Sequence, residues 1–374
     1  MEKKRKRFPD SFAVIAGMLI LLALGLAAVF CGGGEFSDWE RRYLANRPAV
    51  PDLNTWTTDR ETEDFLSDHI PGRQALIALD SSGLFLTGRD SQLSTWYTSG
   101  SVIEPPVEIN ADSISTKLRR FEKLAGKAGG VPWYVLSPHT HGWLLRDQIF
   151  PVLGRQYRSE ATGYAVLDAC ENYVPMPGVF DAEPDGMYYT TDHHWTLQGA
   201  WQAYLALSGP LGYKPLALED FRITEYPGFR GTTLSRSGLP AFWEDTLVCA
   251  EPDSPVRVTF IDRDAESAHD RLIFPEDAGT WDGYAVYLHG NHGTLIIERP
   301  DAPEGTLVVF KDSMANCLLP LLSAHFRRII AVDARYCTGV FSDVFARSED
   351  TKAVLFVYSL SSLVNDTEIT RKAK

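Results

Sequence analysis

A long uncharged, apolar stretch opens this 374-residue chain, at Phe12–Phe30. Five basic residues stand before it, between Lys3 and Arg7. As a helix the stretch spans roughly 28 Å, close to the hydrocarbon thickness of a bilayer. It is longer than the apolar region of a signal peptide, roughly 7–15 residues, which favours an uncleaved anchor with its basic end in the cytoplasm. Cleavage at the small residues Ala27-Ala28-Val29 is the alternative.

Composition divides the chain into four predicted parts. After the apolar stretch, three glycines start a segment rich in Trp, Arg, Pro and Asp, which indicates an extended linker. Cys31 follows the bulky Phe30, which argues against a lipid-modified cysteine. The predicted parts are a cytoplasmic basic tail at 1–11, a transmembrane anchor or signal peptide at 12–31, an extended linker at 32–60 and one domain at 61–374.

Apolar runs alternate with helix-type spacing in the last part of the chain. Val308–Phe310, Ile329–Val332 and Val354–Val357 are such runs, and each is followed by a helical pattern. Trp133–Leu136 and Tyr164–Leu167 predict two further strands. Runs without polar alternation are typical of parallel strands buried on both faces. The pattern therefore predicts an α/β fold of three layers, α/β/α, with a mostly parallel sheet.

Residues from about 214 to 300 show a different pattern, in which short strand-like pieces alternate in polarity. Val256–Phe260 and Thr294–Ile297 are examples. We interpret this part as a β-rich section inserted into the domain. In open α/β sheets ligands bind beyond the C-terminal ends of the strands, where Ser313 and the segment 137–141 are expected.

The overall composition narrows the class of partner. Apolar residues make up 44% of the chain and charged residues 23%, as in an ordinary globular protein. The net charge of -13 argues against a nucleic-acid partner, because phosphate binding requires a basic surface. Five cysteines without a CxxC pair do not predict a disulfide scaffold, and nothing in the sequence predicts a cofactor.

The stretch Asp192-His193-His194-Trp195 carries the first part of a candidate catalytic site. In an extended turn, residues i and i+2 point the same way, so Asp192 and His194 can share a face. A carboxylate in that position fixes the tautomer of the imidazole and steadies its protonated form. We therefore predict His194 as a general base and Asp192 as the group that orients it.

Ser313 is the candidate nucleophile, since it follows a predicted strand and starts a predicted helix. A serine hydroxyl needs a base within hydrogen-bond reach, and the free N–H groups of a helix start can hold an oxyanion. The alternative is that Ser313 only caps the helix. Asp312, beside it, is expected to brace the loop.

A metal site is the rival hypothesis for the histidines. His139, His141, His193 and His194 all fall in predicted loops, and neutral imidazole binds zinc. Neither an HExxH motif nor a cysteine-rich spacing accompanies them. We therefore predict no metal ion.

Several motifs in fixed order resemble the DHHW protein family, which is similar to the SGNH-hydrolase-like domains of alginate O-acetyltransferase-type proteins. The resemblance extends from about residue 36 to the C-terminus. The motifs are Asp192-His193-His194-Trp195 and the segments 36–42, 229–235, 290–292, 311–313 and 332–336.

The resemblance implies an SGNH-like domain in which Ser313, His194 and Asp192 form a triad. The sequence departs from the usual pattern at Lys311, where a glycine is common, and it lacks an obvious glycine block for the oxyanion hole. A donor from Asn291 or Asn316 is expected instead. Arg335, after a strand end, either binds substrate or forms a surface ion pair.

The implied function is an extracytoplasmic acyltransferase, acetyl being the expected group, or an esterase. Its partners would be a cell-surface or cell-wall polysaccharide and a membrane-bound acyl donor protein. The chain would be a single-pass protein of the cell membrane with its main domain outside the cytoplasm, or secreted if the apolar segment is cleaved. The alternative is a non-catalytic glycan-binding protein of the cell envelope with the same fold.

Overall fold

The computed structural model describes residues 10–31, 34–47, 57–87, 89, 95–98, 100–240, 243–263 and 265–373. The basic residues of the predicted tail, and residues 32–33 and 48–56 of the predicted linker, lie outside this set. The chain forms two compact units, one of Met1–Gln92 with Gly238–Pro240, the other of Leu93–Ser237 and Ala241–Lys374.

The first unit contains the apolar stretch as one continuous helix. Over Phe12–Phe30 this helix is long and apolar enough to cross a membrane, and only 6% of that span is buried, unlike the core helix of a soluble protein. Two further helices are separated at Pro71-Gly72, where Gly72 has φ 75°. The elements are α1 (Asp10–Cys31), β1 (Phe36–Ser37), β2 (Arg42–Tyr43), α2 (Thr57–His69) and α3 (Arg73–Leu86).

Part of the segment predicted as an extended linker is tied to α2. The Asp68 carboxylate accepts two hydrogen bonds from the guanidinium of Arg42 and one from the backbone N–H of Ala45. Arg73 binds Glu40 in the same way, with Nε 2.8 Å from Oε1. These ion pairs fix residues 40–45 against the helices of the first unit.

A seven-stranded sheet organises the second unit. Its order is β5-β13-β11-β12-β10-β8-β9, and the first four strands are parallel to one another. The pairs β12–β10, β10–β8 and β8–β9 are antiparallel, so β8 points in the same direction as the four parallel strands. The strands are β3 (Trp96–Thr98), β4 (Ser101–Ile103), β5 (Trp133–Leu136), β6 (Phe221–Phe229), β7 (Asp245–Pro252), β8 (Arg257–Ile261), β9 (Glu266–His269), β10 (Thr294–Glu298), β11 (Glu304–Lys311), β12 (Phe326–Asp333) and β13 (Thr351–Val357).

Alternate residues of the central strand β11 feed two separate cores. Leu307 and Val309 pack in one apolar cluster, and Val308 and Phe310 pack in another. All four side chains are fully buried. Because successive side chains of a strand point to opposite faces, both faces of the sheet are covered. The predicted α/β fold with a mostly parallel central sheet is therefore confirmed.

Helices cover these faces, and one predicted strand proves to be a helix. Tyr164–Leu167 lies in α7, where Tyr164 and Leu167 bury the same helical face. A four-residue apolar run fits either structure, which explains the wrong prediction. The helices are α4 (Ala111–Gly126), α5 (His141–Leu145), α6 (Pro151–Tyr157), α7 (Ala161–Asp168), α8 (Gly178–Ala182), α9 (Leu197–Leu211), α10 (Thr232–Ser237), α11 (Pro275–Ala278), α12 (Leu318–Leu322), α13 (Leu360–Asn365) and α14 (Thr367–Lys372), with short 3₁₀ helices at Arg158–Glu160, Leu218–Asp220, Gly283–Val286, Ser313–Asn316 and Phe341–Arg347.

The β-rich section has two structural parts. β6 and β7 form a separate antiparallel pair, whereas β8, β9 and β10 join the central sheet beyond β12. The section thus widens the sheet on one side and places β7 where its first residue, Asp245, reaches the loop before α9.

Candidate active site

The loop before α9 presents the Asp192-His193-His194 stretch. Tyr188 and Trp195 pair across its base, and the backbone N–H of Tyr189 donates to the carbonyl of His194. The Trp195 side chain is fully buried. The Thr196 hydroxyl then caps α9 by accepting from the backbone N–H groups of Gln198 and Gly199. The loop is closed at its base, so its tip has little freedom.

Three predicted side chains meet in one hydrogen-bonded series. His194 Nδ1 lies 2.5 Å from Asp192 Oδ1, and His194 Nε2 lies 2.8 Å from Ser313 Oγ. Asp192 and His194 are both buried. With the proton on Nδ1 donated to the carboxylate, Nε2 is left to accept the proton of the serine hydroxyl. The structure thus brings these groups together, while their part in a reaction stays a prediction.

Ser313 is not the cap of its helix. The 3₁₀ helix Ser313–Asn316 is capped by Asp312, whose Oδ1 accepts from the backbone N–H of Met314 at 2.9 Å. Oδ2 of Asp312 accepts from the backbone N–H of Ser359 and the hydroxyl of Ser362. Asp312 therefore braces the ends of β11 and β13, and the hydroxyl of Ser313 is left for His194.

A frame of hydrogen bonds holds Asp192 from behind. Oδ1 of Asp245 accepts from the backbone N–H and hydroxyl of Thr190, and Oδ2 accepts from those of Thr191, at 2.6–3.1 Å. The backbone N–H of Thr232 donates to Asp192 Oδ2 at 2.5 Å. The chain passes so closely at Gly231 that a Cβ there would lie 2.3 Å from the Cβ of Asp192. Gly231 and Thr232 belong to the 229–235 segment of the family resemblance, whereas Asp245 gave no sequence signal.

The imidazole of His194 lies flat on an aromatic ring. The ring of Tyr284 stacks on it at a centroid distance of 3.8 Å and an angle of 10°. Among the described residues the buried Tyr284 hydroxyl has no hydrogen-bond partner. The Tyr284 ring therefore fixes the plane of the imidazole and shields it from water, and the Tyr284 hydroxyl takes no part in this. Sequence reasoning missed Tyr284 because nothing in its neighbourhood indicates a site.

Burial and neighbouring charges set the ionisation of the pair. Burial opposes ionisation of Asp192, but the adjacent imidazoles of His193 and His194 and the N–H donors outweigh it, so its pKa is well below the ordinary value. Burial, together with the neighbouring His193, lowers the pKa of His194 despite the Asp192 carboxylate. At neutral pH the pair is therefore an aspartate and a neutral imidazole, the form that can accept a proton.

A cavity of about 220 Å³ opens at Ser313. This is below the roughly 300–1,000 Å³ of common ligand pockets, so it suits a small group. His193, His141 and Arg335 also contribute to its wall. Burial lowers the pKa of His141 to about 4, so this imidazole is neutral. Among the described residues, the backbone N–H of Ser313 makes no hydrogen bond.

The two asparagines predicted as oxyanion donors bind each other. Nδ2 of Asn316 donates to Asn291 Oδ1 and to the carbonyl of Gly290, and its Oδ1 accepts from Lys311 Nζ at 2.7 Å. Both hydrogens of the Asn316 amide are thus in use, and an oxyanion role for Asn316 would require these bonds to break. Asn291 takes part through its oxygen only, so these bonds do not use its amide hydrogens. Burial lowers the pKa of Lys311 to about 8. The Lys311–Asn316 contact ties the serine turn to the loop at 290.

The remaining histidines occupy separate places. Nδ1 of His139 lies 2.7 Å from Asp181, and the ring of His141 stacks on Tyr188. Within the described part of the chain, the one group spaced for a metal ion is Asp192, His193 and His194. A metal ion there would compete with the contacts that join Asp192, His194 and Ser313, so the arrangement favours proton transfer.

The site falls inside a match to a known family. Residues 178–332 match the family described as DHHW protein. The resemblance to the DHHW family is confirmed. Asp192, His194 and Ser313 all lie in this DHHW region. No curated protein matches the chain.

Solved structures share the fold of about three quarters of the chain. A DHHW family protein from Eubacterium siraeum is similar at a TM-score of 0.62 with 19% identity, covering 74% of this chain and 94% of that one. Bacillus cereus PatB1, solved with a sulfonyl adduct, is similar at a TM-score of 0.60 with 21% identity. The match covers 73% of this chain and 96% of PatB1. These likenesses confirm the SGNH-like fold. The O-acetyltransferase domain of Pseudomonas putida AlgJ matches 74% of this chain over 96% of its own length, at 12% identity. Its TM-score of 0.41 is too low to support an argument.

The lowered pKa of His194 determines the sign of a pH dependence. Only neutral imidazole can take the proton of Ser313, and the lowered pKa keeps it neutral to below the ordinary value of 6.5. We expect the rate at which phenylmethanesulfonyl fluoride labels Ser313 to stay level through neutral pH and to fall only below about 6.5. Mass spectrometry of the detergent-solubilised full chain measures this rate.

Variants of Tyr284 serve as the matched pair in this measurement. Tyr284→Leu removes the ring that covers His194. Because burial lowers the pKa of His194, exposing the imidazole should raise that pKa, and the fall of the labelling rate at acid pH should begin at a higher pH. Tyr284→Phe keeps the ring and should leave the profile unchanged, since the hydroxyl has no partner among the described residues. An acidic limb that starts above pH 7 in the unaltered protein would contradict the account.

Replacement of Asp245 tests the frame behind Asp192. Asp245→Asn places an NH₂ group against one backbone N–H and one threonine hydroxyl, in place of a carboxylate oxygen that accepts from both. The change should lower the free energy of unfolding by about 1–3 kcal/mol. Labelling of Ser313 should slow as well, because Asp192 loses its fixed position. Glu244→Gln is the control: this neighbouring residue forms an exposed pair with Arg230, and its loss should change stability by less than about 1 kcal/mol. Chemical denaturation and labelling at pH 7 measure both, and equal effects of the two variants would refute the frame.

Proposed function

We propose that this protein is a serine-dependent acyltransferase or esterase that carries its acyl group, acetyl by preference, on Ser313. The observation that carries the proposal is the 2.8 Å contact between Ser313 Oγ and His194 Nε2, in series with the buried carboxylate of Asp192. A hydroxyl paired in this way with a neutral, oriented imidazole is an activated nucleophile.

The proposed reaction has two halves that use the same proton carrier. Ser313 Oγ attacks the acyl carbonyl while its proton passes to His194 Nε2, and the leaving group departs with that proton. The acyl group is then esterified to Ser313. In the second half an acceptor hydroxyl gives its proton to His194 and attacks the ester, and the proton returns to Ser313. Water as acceptor gives hydrolysis, and a sugar hydroxyl gives transfer.

The electrostatics of the site support this sequence of steps. The lowered pKa of Asp192 keeps a negative charge beside His194, which stabilises the imidazolium formed in each half-reaction. The backbone N–H of Ser313, which makes no hydrogen bond among the described residues, is the proposed donor for the oxyanion. The cavity volume of about 220 Å³ suits a small acyl group. PatB1, similar in fold, was solved with a sulfonyl adduct, and sulfonylating reagents capture activated nucleophiles.

The acceptor and the cellular location follow from other features. The resemblance to SGNH-like O-acetylation domains favours a cell-surface or cell-wall polysaccharide as the acceptor. The helix over Phe12–Phe30 favours a membrane anchor, with the second unit on the extracytoplasmic side. A membrane-bound protein that delivers acyl groups is then the expected donor, because activated acyl groups are made in the cytoplasm.

An acyl-enzyme trap tests the proposed function. The full chain in detergent is incubated with p-nitrophenyl acetate, quenched with acid and digested for mass spectrometry. We expect an acetyl group on Ser313, and a rate about 10²–10⁴ times lower in His194→Gln because the base is lost. Ser361→Ala is the matched control, since this exposed serine lines the same cavity, and it should react normally.

The same experiment separates the alternatives. Release of acetate alone indicates an esterase, and acetylation of an added oligosaccharide indicates a transferase. An unmodified Ser313, with glycan binding unchanged in Ser313→Ala, would refute the enzyme and support a glycan-binding protein. Acetylation that does not depend on His194 would also contradict the proposal.

A further inference from the structure

Arg335 lies at the boundary of two cavities. It contributes to the cavity of Ser313, and it also lines a second one together with Arg263, Arg371, Lys372 and Glu368. The proposed reaction uses nothing in the second cavity. Arg335 is the residue that the linings of the two cavities have in common, so its guanidinium is the group nearest to both.

One edge of this guanidinium is fixed and the other is available. Nε and one terminal nitrogen of Arg335 donate to the two carboxylate oxygens of Asp333, at 3.0 and 2.6 Å. Asp333 is buried at the end of β12 and holds the planar group still, whereas the Arg335 side chain is 36% exposed. Its other terminal nitrogen, Nη1, has no acceptor among the described residues. A planar fork held in this way suits a carboxylate or phosphate.

The charges around the second cavity have a positive excess. Arg263 is exposed, and Arg371 is exposed and pairs with Glu368. Lys372 is buried and donates to the carbonyls of Ala334 and Cys337, so it shapes the wall and adds charge. Four cationic side chains thus line the cavity with one acid, Glu368, which pairs with both Arg371 and Lys372. Arg335 has two further carboxylates near it, those of Asp333 and Asp312. This excess contrasts with the net charge of -13 for the whole chain.

We propose that the second cavity is a subsite for the negatively charged group of an anionic polysaccharide, whose neighbouring sugar enters the cavity of Ser313. The inference deepens the proposed function, since it names the class of acceptor for that reaction. The carboxylate of a uronic acid and the phosphodiester of a sugar–phosphate polymer share the required chemistry. Tyr336 lines the same cavity and is 47% exposed, and its ring carries the Arg335 guanidinium 5.3 Å from the centroid, which further fixes the arginine.

Binding by the full-length Ser313→Ala protein in detergent tests the subsite without turnover. The calorimetric probes are a tetragalacturonate, a glycerol-phosphate oligomer of similar length, and neutral maltotetraose. We expect one of the two anionic probes to bind at least tenfold more tightly than maltotetraose, and to weaken as salt is added. Which of them binds identifies the charged group. Equal binding of all three, or binding no tighter than that of monomeric galacturonate or inorganic phosphate, would overturn the proposal.

Arginine variants locate the binding. Arg335→Gln should weaken the anionic probe about tenfold, the loss of roughly one charge-assisted contact. Because this change leaves the Asp333 carboxylate unpaired, Arg263→Gln and Arg371→Gln are measured separately, and each should weaken binding severalfold without loss of folding. Arg327→Gln is the control, since Arg327 pairs with Asp350 outside both cavities, and it should bind normally. Unchanged binding in all three cavity variants would refute the subsite.

The subsite and the enzyme can fail independently. Tight anionic binding without an acetyl group on Ser313 would reject the acyl-enzyme and keep the subsite. An acetylated Ser313 without preference for anionic probes would reject the subsite and keep the enzyme.

Discussion

A buried carboxylate, that of Asp192, is the constraint on which the site depends. An ionised group without water is stable only if hydrogen bonds and opposite charges replace its hydration. Asp192 receives the backbone and imidazole N–H groups of His194 and the backbone N–H of Thr232. These donors come from two distant parts of the chain, so the loop before α9 and the start of α10 must be in register. The position of His194 follows from that register.

The central sheet supplies the second half of the site. Ser313 stands 119 residues after His194, at the C-terminal end of β11 in the middle of the sheet. Asp312 ties this end to β13, and the Lys311–Asn316 contact ties it to the loop at 290. The serine is thus fixed by strand ends, whereas the histidine is fixed by hydrogen bonds around a loop. The 2.8 Å contact joins two separately built supports.

The sequence was sufficient for the features that depend on local pattern. Order and spacing predicted the apolar runs of β11, β12 and β13 and the apolar helix α1. They also predicted that Asp192, His194 and Ser313 come together, although the catalytic role of these residues stays a prediction. The prediction of a strand at Tyr164–Leu167 was wrong because a short apolar run has no decisive period. Asp245 and Tyr284 were missed because their contacts arise from β6–β7 pairing and from the 3₁₀ helix at 283–286, which no local signal links to the loop at 192. The second role of Arg335 likewise needed the geometry of two cavities.

The hydrogen bond between Asp192 and His194 can be observed directly. In the ¹H NMR spectrum of the full chain labelled with ¹⁵N-histidine, the account predicts a strongly downfield Nδ1 proton for His194. It should persist in Ser313→Ala and disappear in Asp192→Ala. A spectrum without this resonance between pH 4 and 8, or one that Asp192→Ala leaves unchanged, would contradict the claim that a buried carboxylate orients the base.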